Sequence, residues 1–456
     1  ISSVFIVMAL FKTNNHIKKQ LVKLTLPIFI DIALVMMLGT VDILMLSQHS
    51  DESVAAVGVD NQVFTLVFLV YQFISMGCAI LCAQYIGAKL QKRLVQVVGV
   101  SLMLNLIVGL VVSAIMWFQA ESILRLIGLS DNLMPDGLVY MKITGVCSFT
   151  QAVAFALSAS LRSADKTVYP MIVTLISNVL NFIGNYVLIF GKFGFPALGV
   201  EGAAISTAFS RAVAMVLLAV FHTRKHIHRF PLAYFRPFPV HELKNLVLVG
   251  IPAMSEELSY CLSQVVGIYL INKLGDAALA TRAYCWNILA YCVLFSASFT
   301  QGGSILIGHF VGQHKNRAAY ILGNYNLRLQ LTCCVTMAAI LACLGRPILS
   351  LFTNNEEIVT LGAWIFVINV FLEIGRTRNI FSCGSLRATG DTIYPVVIGI
   401  TFQWLIAVGF AYIAGFWLGL GLLGIWGAFA LDENTRGIIL TRRWHSRKWA
   451  GKSFAV

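Results

Sequence analysis

SLRSADKTVYP at residues 160–170 returns as SLRATGDTIYP at residues 385–395, 225 positions further along the chain. The same shift carries Leu180, Gly184, Leu198, Gly199, Gly202, Ala203 and Arg211 onto identical residues downstream, and it works upstream as well. Lys19, Leu21, Val22, Pro27, Asp51, Gly77, Ile80, Leu81 and Gly87 meet Lys244, Leu246, Val247, Pro252, Asp276, Gly302, Ile305, Leu306 and Gly312. Gly, Pro and Arg carry many of these matches, so a shared apolar bias does not explain them. A constant offset over this length is the mark of a duplicated unit. The two copies are read as residues 19–221 and 244–441. The basic, proline-containing HTRKHIHRFPLAYFRPFPVHE lies in a linker over 222–243, with a cytoplasmic segment at 1–18 and a basic tail at 442–456.

Composition says what is duplicated. Of 456 residues, 58% are hydrophobic and 12% charged, against about 25% charged in soluble domains. Stretches of about 20 apolar residues, enough to cross a bilayer, recur at 24–47, 58–86, 94–118, 138–161, 168–190, 198–221, 246–272, 279–308, 319–345, 358–384, 393–415 and 419–441. They are too long for barrel strands. The expected fold is an all-α integral membrane protein with twelve transmembrane helices in two six-helix bundles. Because six is even, both bundles enter the membrane from the same side, as parallel repeats related by a pseudo-two-fold axis along the membrane normal.

The net charge of +13 follows topology and not nucleic acid. Lys and Arg gather in alternate loops, such as Lys89, Lys92 and Arg93, then Arg162 and Lys166, then Arg442, Arg443, Arg447 and Lys448; the opposite loops hold only Arg125, Lys192, Lys273 and Arg346. By the positive-inside rule both termini are cytoplasmic, in a multi-pass protein of the cell membrane. The opening ISSVFIVMALFKTNN is too short to span and lacks the marks of a signal peptide, and residues 1–7, ahead of Met8, carry no weight. Ten cysteines without metal-ligand spacing read as small buried hydrophobes.

Ionisable residues inside a membrane are candidate functional groups by default. Asp31 and Asp42 share a face of the first span, three turns apart. Asp31 corresponds by the offset to Glu256, each four residues after a proline, with Glu257 beside it. Such carboxylates serve either as ion handles in a cavity or as partners of an arginine in their own bundle. Glu373, Arg376 and Asn379 lie on one helical face, as do Asp432 and Arg436, at spacings that allow mutual neutralisation or contact with substrate. Asn181 and Asn185 project together from the fifth span, where they suit a monovalent cation or hold helices together.

GTVDILMLSQHSDESVAAVGV, AQYIGA, SLRSADKTVYP, NFIGNYVLIFG and LGVEGAAISTA in the first half, with GIPAMSEELSYCLSQ, ILIGHFVGQ and LRATGDTIYP in the second, resemble multidrug and toxic compound extrusion (MATE) transporters over essentially the whole chain. The resemblance implies a cation site at Asp42, Asn181, Asn185 and Thr207. Some members have Asp where this chain has Asn185, which leaves Na⁺ and H⁺ both open as coupling ion. Many members place the acid of the seventh helix eight residues after its proline, where this chain has Tyr260. Asp31, Glu256, Glu257, Glu373, Arg376 and Asp432 are the expected cavity residues. The implied function is a monomeric secondary antiporter, not an enzyme and without a cofactor, that exports amphipathic cations in exchange for Na⁺ or H⁺ by alternating access. No ATP-binding loop of the GxxxxGK[ST] type occurs. The alternative is a flippase for a lipid-linked precursor, which requires a cationic cavity for its phosphates.

Overall fold

The computed structural model describes residues 15–48 and 50–455, except the side chains of residues 15–17 and 232. Residues 1–14 of the expected N-terminal segment lie outside that description. The helices are α1 (Asn15–Ser47), α2 (Asp51–Gly87), α3 (Gln91–Phe118), α4 (Ala120–Ile127), α5 (Met134–Val146), α6 (Ser148–Ser163), α7 (Val168–Phe190) and α8 (Val200–Lys225). After a 3₁₀ turn at Leu232–Phe235 come α9 (Val240–Asn272), α10 (Asp276–Gly312), α11 (Asn316–Leu349), α12 (Glu356–Thr389), α13 (Ile393–Phe402) and α14 (Gly421–His445). No strand occurs among the described residues, as expected where lipid leaves every backbone amide to be satisfied within its own segment.

The offset of 225 is built into these boundaries. Asn15–Ser47 and Val240–Asn272 differ by 225 at both ends, as do Asp51–Gly87 and Asp276–Gly312. Pro27 and Pro252 sit inside the first helix of each copy. The twin motifs are the helix end, turn and helix restart between α6 and α7 and between α12 and α13. The left-handed turn residue is Asp165 in one (φ 60°) and Gly390 in the other (φ 97°). Only glycine fits the second site, since a Cβ on Gly390 would approach the Lys452 carbonyl oxygen to 2.0 Å.

All twelve expected spans fall on helices. Among the described residues, ten helices are individually long and apolar enough to cross a membrane, and α5 with α6 makes an eleventh, bent by 46°. At that bend the Phe149 amide donates to Ser113 Oγ of α3 at 3.2 Å, a side chain inserted into the helical ladder. The equivalent α12 runs unbroken for 34 residues. α13 continues through π-helical turns at Gln403–Phe410 and Ile413–Trp417. The twelfth span is α14, whose centre carries Asp432, Glu433 and Arg436.

Two compact units result: Leu26–Gly250, and Ile251–Val456 together with the stretch up to Thr25. In the first, one apolar core gathers Met45, Phe64, Leu124, Tyr140, Met141 and Ala204. In the second, Leu289, Phe366, Ile425 and Trp426 form one core, and Leu21, Leu24, Phe381, Trp444 and Trp449 belong to another. Large apolar side chains such as Val35, Met37, Val265 and Leu405 are exposed at 58%, 60%, 64% and 64%. Lipid is the solvent that makes such faces stable.

Candidate ion and substrate sites

Close helix packing at glycine positions the candidate side chains in both units. Between α7 and α8, a Cβ on Gly184 would meet Ser206 Oγ at 2.4 Å, and one on Gly202 would meet the Leu188 carbonyl oxygen at 2.6 Å. This approach sets Asn181 and Asn185, one turn apart on α7, against Thr207 of α8. Asn181 Nδ2 donates to Thr207 Oγ1 at 3.1 Å. Asn185 Nδ2 donates to Asn181 Oδ1 at 3.1 Å and to Asp42 Oδ1 of α1 at 2.6 Å. The four residues singled out by resemblance therefore form one hydrogen-bonded chain across three helices.

Asn181, Asn185 and Thr207 are buried and Asp42 is half-buried. Asn185 Oδ1 is buried with no hydrogen-bond partner, so the chain ends on an acceptor beside a carboxylate. Carboxylate, amide and hydroxyl oxygens are the ligands hard cations prefer, and the carboxylate alone can take a proton. Asn178, a third amide on α7, turns instead to the Leu34 carbonyl at 2.8 Å. Arg211, one turn beyond Thr207, lies over the rings of Phe68 and Phe64 at 5.1 and 5.8 Å.

In the other unit α12 and α14 meet where a Cβ on Gly375 would lie 2.4 Å from the Asn434 amide and one on Gly437 2.6 Å from the Gly375 carbonyl oxygen. Charges interlock at this seam. Glu373 accepts from Arg376 at 2.8 Å, and Asp432 accepts from Arg436 at 3.1 and 2.5 Å. Glu433 lies 3.4 Å from Arg436 and accepts from Asn379 at 2.8 Å. Arg376, Asp432, Glu433 and Arg436 line a cavity with Tyr260 and Trp286. Glu373, fully buried, stands behind that lining.

Asp31, Glu256 and Glu257 do not line this cavity. Asp31 accepts from Arg162 at 2.5 Å and Glu256 from Arg387 at 2.5 Å, while Glu257 is exposed on α9. Of the two roles open to Asp31 and Glu256, each has the arginine of its own unit. Those arginines are the ones in the twin motifs, and both partners of one pair differ by 225 from both partners of the other. Sequence reasoning passed over Asp60 and Tyr140. Asp60, on α2, is fully buried, and the only signal for it was its place just inside the second span.

The repeat and the membrane spans now have a family to belong to. The MatE family model matches twice, over residues 27–187 and again over 252–413. The chain belongs to the MatE family. Among its relatives, "Uncharacterized transporter YisQ" of Bacillus subtilis (strain 168) is 39% identical over 438 residues, 96% of each chain. "Probable multidrug resistance protein NorM" of Thermotoga maritima is 28% identical, covering 95% of this chain and 93% of its own. A solved MOP superfamily transporter from Pyrococcus furiosus Vc1 (DSM3638) superposes with a TM-score of 0.85 at 20% identity, over 94% of this chain and 96% of that one. At that identity the likeness is one of fold, the twelve-helix fold of MATE transporters. This MatE chain is a multi-pass membrane transporter.

Proposed function

We propose that this MatE chain is a secondary antiporter of the cell membrane, with cytoplasmic termini, that exports amphipathic cations in exchange for Na⁺ or H⁺. The observation that carries the reading is the hydrogen-bonded chain Asp42, Asn185, Asn181 and Thr207 within one compact unit, ending on the unpartnered Asn185 Oδ1. The multidrug resistance names of relatives such as the Thermotoga maritima NorM support the export of drug-like molecules.

In this reading Asp42 is the coupling group. Neutralised by Na⁺ or H⁺, it favours one packing of α1 against α7; charged and empty, it favours another. Alternating access then follows from the difference in ion affinity between the two packings. The protein works as a monomer, because the whole hydrogen-bonded chain comes from one unit. A phosphate-binding flippase fits less well, because of the three arginines that line the cavity Arg376 and Arg436 are already taken by Glu373, Asp432 and Glu433, which leaves Arg282, over Trp286, for an anion.

Asp42→Asn keeps the size of the side chain and removes its charge. In proteoliposomes it abolishes ion-gradient-driven efflux of a cationic dye while the protein still folds. Efflux at the wild-type rate against a gradient would exclude Asp42 as the coupling group.

A further inference from the structure

Asp60 is the one acid of the Leu26–Gly250 unit that the proposed coupling chain and the Asp31–Arg162 pair leave without a role in the membrane. It sits on α2 with 0% of its surface exposed. Neither Oδ1 nor Oδ2 has a hydrogen-bond partner among the described residues. Its neighbours one turn away on α2 are Val57, Val63 and Phe64, members of an apolar core that also holds Leu124, Leu129 and Tyr140. Across from it, α5 presents Gly137: a Cβ there would stand 3.9 Å from Asp60 Oδ1 and closer still to Leu129 and Leu124. The carboxyl group therefore faces bare backbone and leucine.

The charged groups around it are engaged elsewhere. On α5, Asp136 accepts from Ser53 at 2.9 Å and Lys142 lies over Trp117 at 5.9 Å. On α4, Glu121 and Arg125 pair at 2.9 Å. α3 has its ionisable residues, Lys92 and Arg93, in its first turn, and α6 has Arg162 in its last. Tyr140, three residues after Gly137 and in the same apolar core, lies within electrostatic reach of Asp60, Asp42 and Arg211 and beside Thr207. Cys147, at the α5–α6 bend, is half-buried.

An ionised carboxylate with no partner in such a shell costs a large part of a fold's margin of stability, and such a group takes up a proton instead. Among the described residues no group of three or more His, Cys, Asp or Glu side chains stands together to hold a metal ion, so a proton is the cation that suits this carboxylate. We propose that Asp60 is a second ion site of this chain, a carboxyl group that carries a proton in the packing seen here and gives it up when α2 and α5 part and admit water. Its occupancy stands on Asp60's own surroundings. Its part in transport rests on the ion-coupled reading above, to which it adds H⁺ as a coupled ion of this unit through Tyr140.

The test uses full-length purified protein. Infrared difference spectra at neutral pH show a protonated-carboxyl band in wild type and in Asp42→Asn that is lost in Asp60→Asn. Titration shows Asp60→Asn binding about one proton fewer per chain. A band and a proton count unchanged in Asp60→Asn would overturn the proposal, even if Asp42 proves to drive efflux. Loss of both would uphold proton occupancy even if no dye were exported. Asp60→Asn and Asp60→Leu both fold with a Tm at least that of wild type, since an unpartnered neutral acid makes no bond that Asn or Leu lacks; collapse of both variants would also overturn it. In proteoliposomes active for efflux, the pH dependence flattens in Asp60→Asn, and an unaltered profile would remove its part in transport.

Discussion

At equivalent positions of the repeat the two units have kept one device and exchanged another. Asp31 with Arg162 and Glu256 with Arg387 are the same ion pair, each 2.5 Å long and each joining the first helix of a unit to the signature motif. Deeper in, the correspondence ends. Asp42, Asn181 and Asn185 are matched at the offset by Gly267, Ile406 and Phe410, so the second unit has no counterpart of the amide and carboxylate chain. Thr207 and Arg211 are matched by Asp432 and Arg436. The arginine is common to both, yet in one unit it lies over Phe68 and in the other it grips Asp432 with two nitrogens. Duplication supplied two scaffolds; substitution left one with oxygens and few charges, and filled the other with charges that neutralise each other.

That contrast is open to experiment. The largest effect separates the two equivalent arginines. Arg436→Ala leaves Asp432, 1% exposed, without its partner and costs about 3–5 kcal/mol. Arg211→Ala forfeits chiefly its contact with two rings, worth about 2 kcal/mol or less. Thermal unfolding of the two variants in detergent checks this, and equal losses would erase the distinction between the units. A smaller effect concerns the shared device. Arg162→Ala and Arg387→Ala each lower stability by roughly 2–3 kcal/mol, under the fully buried range, because the arginine side chains are 22% and 14% exposed. Arg162→Ala costs the more, since Asp31 is 2% exposed and Glu256 15%. The charge-swapped pair Asp31→Arg with Arg162→Asp recovers part of the loss, whereas no recovery would mean that the residues act separately. The smallest effect belongs to the ion-coupled reading: with its cation bound, Asn185→Asp changes the Tm little and strengthens binding of that cation about tenfold, or ~1.4 kcal/mol. Stabilisation by added Na⁺ and the cation dependence of efflux both report it, and an unchanged cation dependence would separate Asn185 from the ion site.

Much of this was legible in the chain. Helix existence followed from apolar length, and the repeat from residues whose identity lipid does not dictate, such as Pro27, Gly87 and Arg162. The amides and carboxylate of the candidate ion site were marked by their cost in an apolar span. Their joining into one chain with Thr207 depends on Gly184 and Gly202, whose close approach between helices no one-helix pattern reveals. The partners of Asp31 and Glu256 were open for a similar reason: Arg162 read as a loop charge of the topology, because a guanidinium at a helix end reaches inward by a length that sequence position does not record. Asp60 was missed because it lies near the start of its span, where an acid is usually solvated, and only the packing of α5 across it makes it buried. The bend between α5 and α6 was hidden too, since its cause, Ser113, is on another helix.

Leu21 and Leu24, early in α1, share a core with Trp444 and Trp449, which lie at and beyond the far end of α14. Trp449 is 1% exposed and stacks on Trp444 at 4.8 Å, and Lys452 reaches Asp391 at 2.7 Å. A ribosome emits these two ends of the core more than four hundred residues apart. The Leu26–Gly250 unit is one uninterrupted stretch and can finish packing while synthesis continues. The other must keep the opening turns of α1 in waiting until its last tryptophan leaves the tunnel. Truncation just before Trp449 thus leaves the core around Leu21 and Leu24 open on the side where Trp449 stacks on Trp444.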